Sequence, residues 1–280
     1  MKKLLSILLA VCIMAGLAIL AAVPAGAEEN AYAPPANLGE LTQAEQLAYF
    51  NLVVNRVRAE KPGFQQRELL EIESMQFSGI FSAVSGIIEN VQKALMPGEW
   101  TQRNVAVGKS NVGLFMSENA NASDLRPQDI TSINAAKQGD SWVIELCIQE
   151  ETNPASGLGS SHGRIANIAT REQIIAEITG IASIITISPA DTTVRYYDGY
   201  ARVTVNEQGQ VISATNGYQV YVAANNVKIS FIQTDVAVSQ NSEWQYDKFD
   251  WDSAPKWWLN LPPWFQWILR YIFFGWLWMN

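Results

Sequence analysis

Three long stretches in which apolar and polar residues alternate constrain the fold of this chain more than any other feature. They cover Val194–Val205, Gln210–Ala223 and Val227–Val238, and short polar segments at 206–209 and 224–226 separate them. Alternation with a period of two places one face of a strand on a core, and short turns join antiparallel neighbours. The pattern therefore predicts an antiparallel meander of three strands.

The first of these stretches also predicts which side chains are buried. Strict alternation puts Tyr197, Ala201, Val203 and Val205 on one face and Asp198, Arg202 and Thr204 on the other. One apolar and one polar face are expected when a sheet is covered on one side only. We therefore expect the face that carries Val203 to point into the core.

Helix signals precede the strands. Thr42 and Glu45 form a capping box before apolar residues at helical spacing, which predicts a helix over about 43–60. A similar apolar stripe predicts a second helix over 78–95, and a capping box at Thr170–Gln173 opens a third over 171–186.

Shorter strands are predicted between these helices. The segment 64–73 favours a strand, although a helix also suits it, and 105–107 is a short strand inside a long loop. Residues 130–149 predict a hairpin with its turn at 138–141.

The order of these elements predicts the fold class. Helices and antiparallel strands come in separate blocks, which favours an α+β domain over a parallel α/β sheet. We expect a curved antiparallel sheet, built from the C-terminal meander plus the hairpin and covered by amphipathic helices, with an aromatic helix at the C-terminus.

The N-terminus has the features of a secretory signal peptide. Lys2–Lys3 precede an apolar run over Leu4–Val23, and Ala25-Gly26-Ala27 provides small residues for cleavage after Ala27. A permanent membrane anchor is the alternative. We expect a signal peptide at 1–27, a linker at 28–40, a domain at 41–248 and an apolar segment at 249–280. The mature chain is then located outside the cell or in its envelope.

Composition excludes several classes of function. The chain has 19 Lys+Arg against 27 Asp+Glu, a formal charge of -8, and losing Lys2 and Lys3 with the leader makes the mature charge -10. An acidic protein repels phosphate backbones, so nucleic acid is excluded as an expected partner. Two cysteines and one histidine are too few for a Cys/His zinc cluster, and we expect no metal or other cofactor.

One loop combines residues that could carry chemistry. Gly157–Arg164 contains the only histidine, His162, beside Ser160, Ser161 and three glycines. Ser161 and His162 are candidate catalytic residues, because a serine hydrolase needs an imidazole to accept the serine proton. Gly159–Gly163 matches the spacing G-x-S-x-G around Ser161, but adjacent residues in one loop rarely reach the geometry of a serine–histidine pair. A structural turn is therefore the favoured interpretation.

The C-terminal segment is rich in tryptophan. Seven of the ten tryptophans lie in the last 30 residues, and about 17 residues from Pro263 could form a helix of roughly 25 Å. A spanning helix would put Arg270 near the bilayer midplane, whereas an interfacial helix would keep Gln266 and Arg270 on one polar stripe. Packing on the protein's own sheet is the third possibility. The residues expected to contact a membrane or a partner are Trp264, Trp267, Arg270, Trp276 and Trp278.

Several short motifs resemble those of a known group of proteins. They are Ala48–Asn51 with Asn55, Lys61–Phe64, Gly108–Asn111, Asn153-Pro154, Ser161–Gly163 and Phe273–Met279. In these motifs the chain resembles an uncharacterised family of secreted or cell-surface proteins from Gram-positive anaerobic bacteria, over most of the mature chain. The resemblance implies export and a small α+β domain, and it assigns no activity, substrate or site residue.

These observations favour a non-enzymatic function. We expect an exported domain that is held at the outer face of the cell membrane and binds an apolar ligand or a protein partner. The C-terminal segment would contact the membrane surface or a membrane protein. The alternative is a cell-envelope hydrolase that uses Ser161 and His162.

Overall fold

The computed structural model describes residues 30–78, 98–111, 113–116, 123–181 and 183–252. The helices and strands among these residues lie in the compact unit that begins at Pro34. The described α-helices are α1 (Gln43–Glu60) and α2 (Arg171–Ile181). The strands are β1 (Gly63–Phe77), β2 (Thr101–Val105), β3 (Ile130–Gln138), β4 (Ser141–Ile148), β5 (Glu151–Thr152), β6 (Ile185–Thr186), β7 (Thr192–Val205), β8 (Val211–Ile229) and β9 (Ile232–Asp250).

The strands form one open antiparallel sheet. The order of its main strands is β2-β1-β9-β8-β7-β4-β3, while β5 pairs with β7 and β6 with β8. The predicted hairpin is β3–β4, with Gln138 opposite Ser141, and the predicted meander is β7–β8–β9. An α+β domain with an open antiparallel sheet is thus confirmed.

The sheet joins the two ends of the domain. β1 pairs with β9 from Gly63 opposite Asp250 to Phe77 opposite Val236. The predicted strand at 64–73 is therefore longer than expected, and the helical alternative is wrong. The pairing closes a long chain loop, so it depends on tertiary contacts. The local sequence pattern of β1 does not specify its partner strand.

Helix α1 forms as the capping box predicts. The Glu45 amide donates to Thr42 Oγ1 at 3.3 Å, and the Thr42 amide donates to Glu45 Oε2 at 2.9 Å. The helix ends at Lys61, which adopts a left-handed conformation before Pro62. Its apolar stripe packs in one core with the sheet face that carries Ile144 and Val203, which we call the inner face. The buried residues of the stripe are Leu47, Phe50, Val53, Val54 and Val57.

A bulge in β7 changes which tyrosine is buried. The register shifts between Tyr197 and Tyr200, and Asp198 has a φ of 50°. Ala201, Val203 and Val205 lie on the inner face as predicted, but the extra residue moves Tyr197 to the opposite, outer face. Tyr196 is buried in its place. The prediction for Tyr197 was wrong because one inserted residue moves every side chain on its N-terminal side to the opposite face of the sheet.

The turn between the last two strands is displaced from its predicted position. β8 continues through Ala224–Asn226 as an irregularity, in which Asn226 takes a φ of 56° and its amide donates to Asp235 Oδ1 at 3.0 Å. The chain reverses only at Ser230–Phe231, so the predicted turn at 224–226 was wrong. Asparagine tolerates positive φ, which allows the pairing to resume beyond it.

Two further boundaries differ from the prediction. α2 ends at Ile181 rather than near 186, because Ile185–Thr186 form β6 on the extended end of β8. The short strand predicted at 105–107 lies instead at Thr101–Val105, where Val105 pairs with Phe64. The predicted helix over 78–95 falls, except for Ser78, outside the described residues.

The core extends beyond both predicted ends of the domain. Leu38, in the segment assigned to the linker, is completely buried. Trp251, in the segment assigned to the C-terminal tail, is also buried, and its Nε1 donates to the Val211 carbonyl at 2.8 Å. The Arg56 guanidinium lies 5.2 Å from the Trp251 ring centre. The folded domain therefore includes Leu38 and Trp251.

Candidate functional site

The loop that carries the candidate catalytic residues lies across the inner face of β7 and β8. The Asn216 amide group donates to the Ile165 carbonyl at 2.9 Å. The Tyr218 hydroxyl donates to the Asn167 carbonyl at 2.9 Å, and the Tyr196 hydroxyl to the Ala169 carbonyl at 2.7 Å. Three inward-facing side chains of the sheet therefore hold the backbone of this loop.

Glu151 organises the loop from within. The Ser160 hydroxyl donates to Oε2 at 2.8 Å, and the Ser161 amide donates to Oε1 at 2.9 Å. The His162 amide and Nδ1 both donate to Oε2 at 2.9 Å. Burial alone would raise the pKa of Glu151, but these hydrogen bonds outweigh burial and lower it to about 2. We call these four residues the Glu151 cluster.

The His162 side chain is completely buried. Its side chain is 0% exposed, and its ring lies 5.7 Å from that of Tyr196 and 6.0 Å from that of Tyr218. Nε2 has no hydrogen-bond partner among the described residues and faces Gly199, where an added Cβ would collide with it. Nδ1 therefore donates to a carboxylate, and Nε2 lies against the backbone of Gly199.

The Ser161 hydroxyl belongs to a different network from the imidazole beside it. Its hydroxyl donates to Asp129 Oδ1 at 3.1 Å, and Arg126 Nε donates to Asp129 Oδ2 at 3.0 Å. Arg164 forms a buried ion pair with the same carboxylate, 3.4 Å from Nε to Oδ2. Burial would raise the pKa of Asp129, but the hydrogen bonds from Arg126 and Ser161 outweigh it and lower the pKa. The structure thus brings Ser161 and His162 together without joining hydroxyl to imidazole.

Sequence reasoning missed the two carboxylates that hold this loop. Glu151 follows Glu150 in a polar stretch, a pattern that is typical of a solvated loop. Asp129 carried no signal beyond its place before a predicted strand. The partners of Glu151 lie nine to eleven residues away across an irregular loop, so no periodic pattern marks them and only the folded loop reveals the cluster.

The outer face of the sheet carries a different set of side chains. Tyr197, Tyr200 and Tyr221 are half-buried there, and the Arg195 guanidinium lies 4.7 Å from the Tyr197 ring centre. The Tyr200 ring crosses Gly217, since a Cβ added at Gly217 would lie 2.9 Å from Tyr200 Cε1. Burial and, to a smaller extent, the nearby Glu243 raise the pKa of Tyr200 to about 12, so its hydroxyl keeps its proton at neutral pH.

Polar side chains surround these tyrosines. On the outer face Gln219 lies between Tyr197 and Asn241 in the strand register. Ion pairs join Arg202 to Glu145 at 3.0 Å and Arg195 to Glu150 at 3.4 Å, all between exposed side chains. Cys147, the free thiol among the described residues, is exposed on this face as well.

The residues expected to contact a membrane lie outside the described residues. They are Trp264, Trp267, Arg270, Trp276 and Trp278. Within the described ranges, none of the helices has the length and apolar character needed to cross a bilayer. The same part of the chain contains no group of three or more His, Cys, Asp and Glu side chains placed to hold a metal ion.

Comparisons of the chain with protein-family models, with curated proteins and with solved structures find no match.

Proposed function

We propose that this chain is an exported, non-enzymatic binding domain that is held at the outer face of the cell membrane by its Trp-rich C-terminal segment. The observation that carries the binding function is the outer face of the sheet with its three half-buried tyrosines. The proposed ligand of this face is a protein partner in the cell envelope.

The location is proposed from the two ends of the chain. The leader at 1–27 supports export, and the run of tryptophans after Pro263 supports a place in the headgroup region of a membrane. N-terminal sequencing of the secreted protein tests the first part, and the expected first residue is Glu28. Recovery of Met1 as the first residue would contradict it.

The interior of the Glu151 cluster favours binding over hydrolysis. A serine nucleophile needs a hydrogen bond to the acceptor nitrogen of a histidine. Here the Ser161 hydroxyl donates to Asp129 and His162 Nε2 faces Gly199. We therefore do not favour the alternative of a cell-envelope hydrolase, and we expect no covalent labelling of Ser161 by a fluorophosphonate probe. Labelling that is lost in Ser161→Ala would restore the alternative.

The outer face has the size and composition of a protein interface. Six neighbouring strands from β1 to β3 span roughly 24 Å, and ten residues of a strand extend about 33 Å. The area of this face is therefore close to the roughly 800 Å² that one partner of a standard complex buries. Tyrosine and arginine are the side chains enriched at the energetic centres of such interfaces. Tyr197, Tyr221 and Arg195 have these properties, and their ordering costs little because the sheet already positions them.

Site-specific photo-crosslinking in the secreting cell tests this proposal. A photoreactive amino acid at Tyr221 or Gln219 is expected to give an adduct of one defined mass, and the same acid at Glu207, in the exposed turn between β7 and β8, is expected to give none. Tyr197→Asp should abolish the adduct, since it puts a charge at the centre of the face. Equal adducts at Glu207 and Tyr221 would exclude a specific interface on this face.

A further inference from the structure

The hairpin between β8 and β9 ends in an exposed apolar tip. Phe231 lies in the turn and is 93% exposed, and Ile184 beside it is 45% exposed. The Ser230 amide donates to the Ile184 carbonyl at 2.8 Å, which joins the two segments. We call Ile184, Ser230 and Phe231 the hairpin tip.

The turn itself does not require these side chains. Ser230 adopts a φ of 57°, a conformation that glycine or asparagine takes at lower cost. A large apolar residue in an exposed two-residue turn adds nothing to the core and exposes apolar surface to water. Turn residues that do not stabilise the protein point to a function other than folding.

The hairpin tip stands on a well-paired base. β6 pairs with the end of β8, with Ile185 opposite Ile229 and Thr186 opposite Lys228. Below the turn, Val227 and Ile229 form a small buried cluster against which Ile185 packs. Phe231 is thus presented by a three-stranded support.

The charge around the hairpin tip differs from that of the rest of the protein. Residues 183–190 and 225–234 contain no carboxylate and a single charged side chain, Lys228, in a chain with 27 acidic residues and a net charge of -8. Asp191 and Asp235 lie just outside these segments. Asp235, whose carboxylate accepts from the Asn226 amide, offsets Lys228, so the patch around the hairpin tip is close to neutral. An anionic surface that the remainder of the molecule would repel meets little repulsion here.

The exposed apolar area decides between a lipid and a protein occupant. One Phe and half an Ile expose on the order of 250 Å², whereas a stable protein interface buries about 800 Å² on each partner. Insertion into a bilayer interface has no such threshold, because each apolar side chain contributes in proportion to its own buried area.

We infer that the hairpin tip inserts Phe231 and Ile184 into the interfacial layer of a lipid membrane. The inference rests on the membrane location proposed above and adds a second contact to it. β9 runs for 19 residues between the hairpin tip and Asp250, which is up to about 60 Å at 3.3 Å per residue. Contacts at both ends of this strand would hold the domain lengthwise along the membrane.

A fluorescent label at the hairpin tip tests the inference in the full mature chain. Phe231→Cys in a Cys147→Ser background carries an environment-sensitive dye, and vesicles contain phosphatidylglycerol and phosphatidylcholine at about 1:3. We expect a blue shift and a rise in emission on adding vesicles, with quenching by lipids brominated close to the headgroup. The control label is at Asp140, in the exposed β3–β4 turn, four strands from β9, and its emission should not change.

Substitution of the native side chain gives the second readout. Phe231→Ser is expected to weaken vesicle binding about tenfold, while Phe231→Trp retains it. Because Phe231 lies outside the core, neither change should alter the thermal midpoint or the circular dichroism spectrum.

The outcomes separate this inference from the proposed tail anchor. The tail variant changes Trp264, Trp267, Trp276 and Trp278 to Ser, and loss of vesicle binding in this variant supports the tail anchor. A label at position 231 that stays in water overturns the inference whatever the tail variant does. A shift that persists in that tail variant supports the tip, and it contradicts the tail only if the affinity for vesicles is also unchanged. If Phe231→Ser only dissociates a dimer in lipid-free buffer, the occupant is a second copy and the inference is wrong.

Discussion

Single residues in the Glu151 cluster determine the conformation of a whole loop. Glu151 receives hydrogen bonds from three consecutive residues, Ser160, Ser161 and His162. An ionised carboxylate has only acceptor sites, so one half-buried group satisfies all of these donors. The arrangement fastens the loop to β5 and fixes the orientation of the imidazole through Nδ1.

Replacing this carboxylate should reveal its contribution through pH. The folded-state pKa of Glu151 is about 2, below its ordinary value of 4.5, so its contribution is complete above pH 4.5 and is lost as the pH falls towards 2. Glu151→Gln should lower the free energy of unfolding by roughly 2 kcal/mol at pH 7. Urea denaturation from pH 7 to pH 2 measures the difference, which should shrink below pH 4.5.

The neighbouring carboxylate supplies the control for this experiment. Glu150 is more than half exposed and pairs with Arg195 at 3.4 Å, so Glu150→Gln should change the stability by about 1 kcal/mol or less. A constant difference between wild type and Glu151→Gln over the whole pH range would contradict the ionised role of Glu151.

The Glu151 cluster also requires glycine at position 199. A Cβ there would collide with His162 Nε2 and lie 2.9 Å from Ile148 Cβ. Gly199→Ala should therefore destabilise the fold by about 2–3 kcal/mol, because the buried ring has no space into which to move. Thermal and urea denaturation test this.

Gly180→Ala in α2 is the matched substitution for Gly199→Ala. A Cβ at Gly180 meets no atom within 4 Å in the described structure, so alanine there should be neutral or stabilise the protein by up to about 1 kcal/mol. If Gly199→Ala changed the stability as little as Gly180→Ala, the structure would have relieved the collision at His162.

At the scale of elements, the antiparallel strands β7, β8 and β9 form the centre of the domain. β8 and β9 each contain 19 residues and pair along nearly their entire length. Such strands bury much apolar surface per ordered residue, since each inner-face side chain contacts neighbours on both adjoining strands. We therefore expect this unit to exchange its amide protons most slowly.

A pair of adjacent substitutions in β7 tests the assignment of its faces. Val203 is completely buried on the inner face, so Val203→Asp should cost about 4 kcal/mol by burying an unpaired charge. Thr204 lies on the outer face, and Thr204→Asp should change the stability by no more than about 1 kcal/mol. Chemical denaturation of both variants decides the matter, and equal losses would mean that the faces are misassigned.

At the scale of the molecule, the secondary-structure elements described here all end by Asp250, ahead of the tryptophan-rich run. Trp251 completes the core, and the deletion of residues 262–280 leaves it in place. If the segment lies in the membrane interface, this deletion should release a folded, soluble domain into the medium. Cell fractionation and circular dichroism measure release and folding. Aggregated protein without a sheet signal would instead assign the segment to the core.

Local patterns were sufficient for part of this architecture. The capping box at Thr42 and its apolar stripe predicted α1 at the observed positions, and the turn at 138–141 predicted the β3–β4 hairpin. These features depend on residues that are close in sequence, so their free energy can be judged from the segment alone. The buried positions of Ala201, Val203 and Val205 followed from period two for the same reason.

Contacts between distant segments decided the rest. Nothing in the pattern of β1 indicates that it pairs with β9, about 170 residues later, and the bulge at Asp198 moved Tyr197 to the outer face. The candidate site followed the same rule: the sequence indicated a structural turn around His162, but only the folded chain brought Glu151 and Gly199 to it. Alternation specifies which face of a strand is apolar, whereas the partner and the enclosed polar groups depend on the packing of the whole domain.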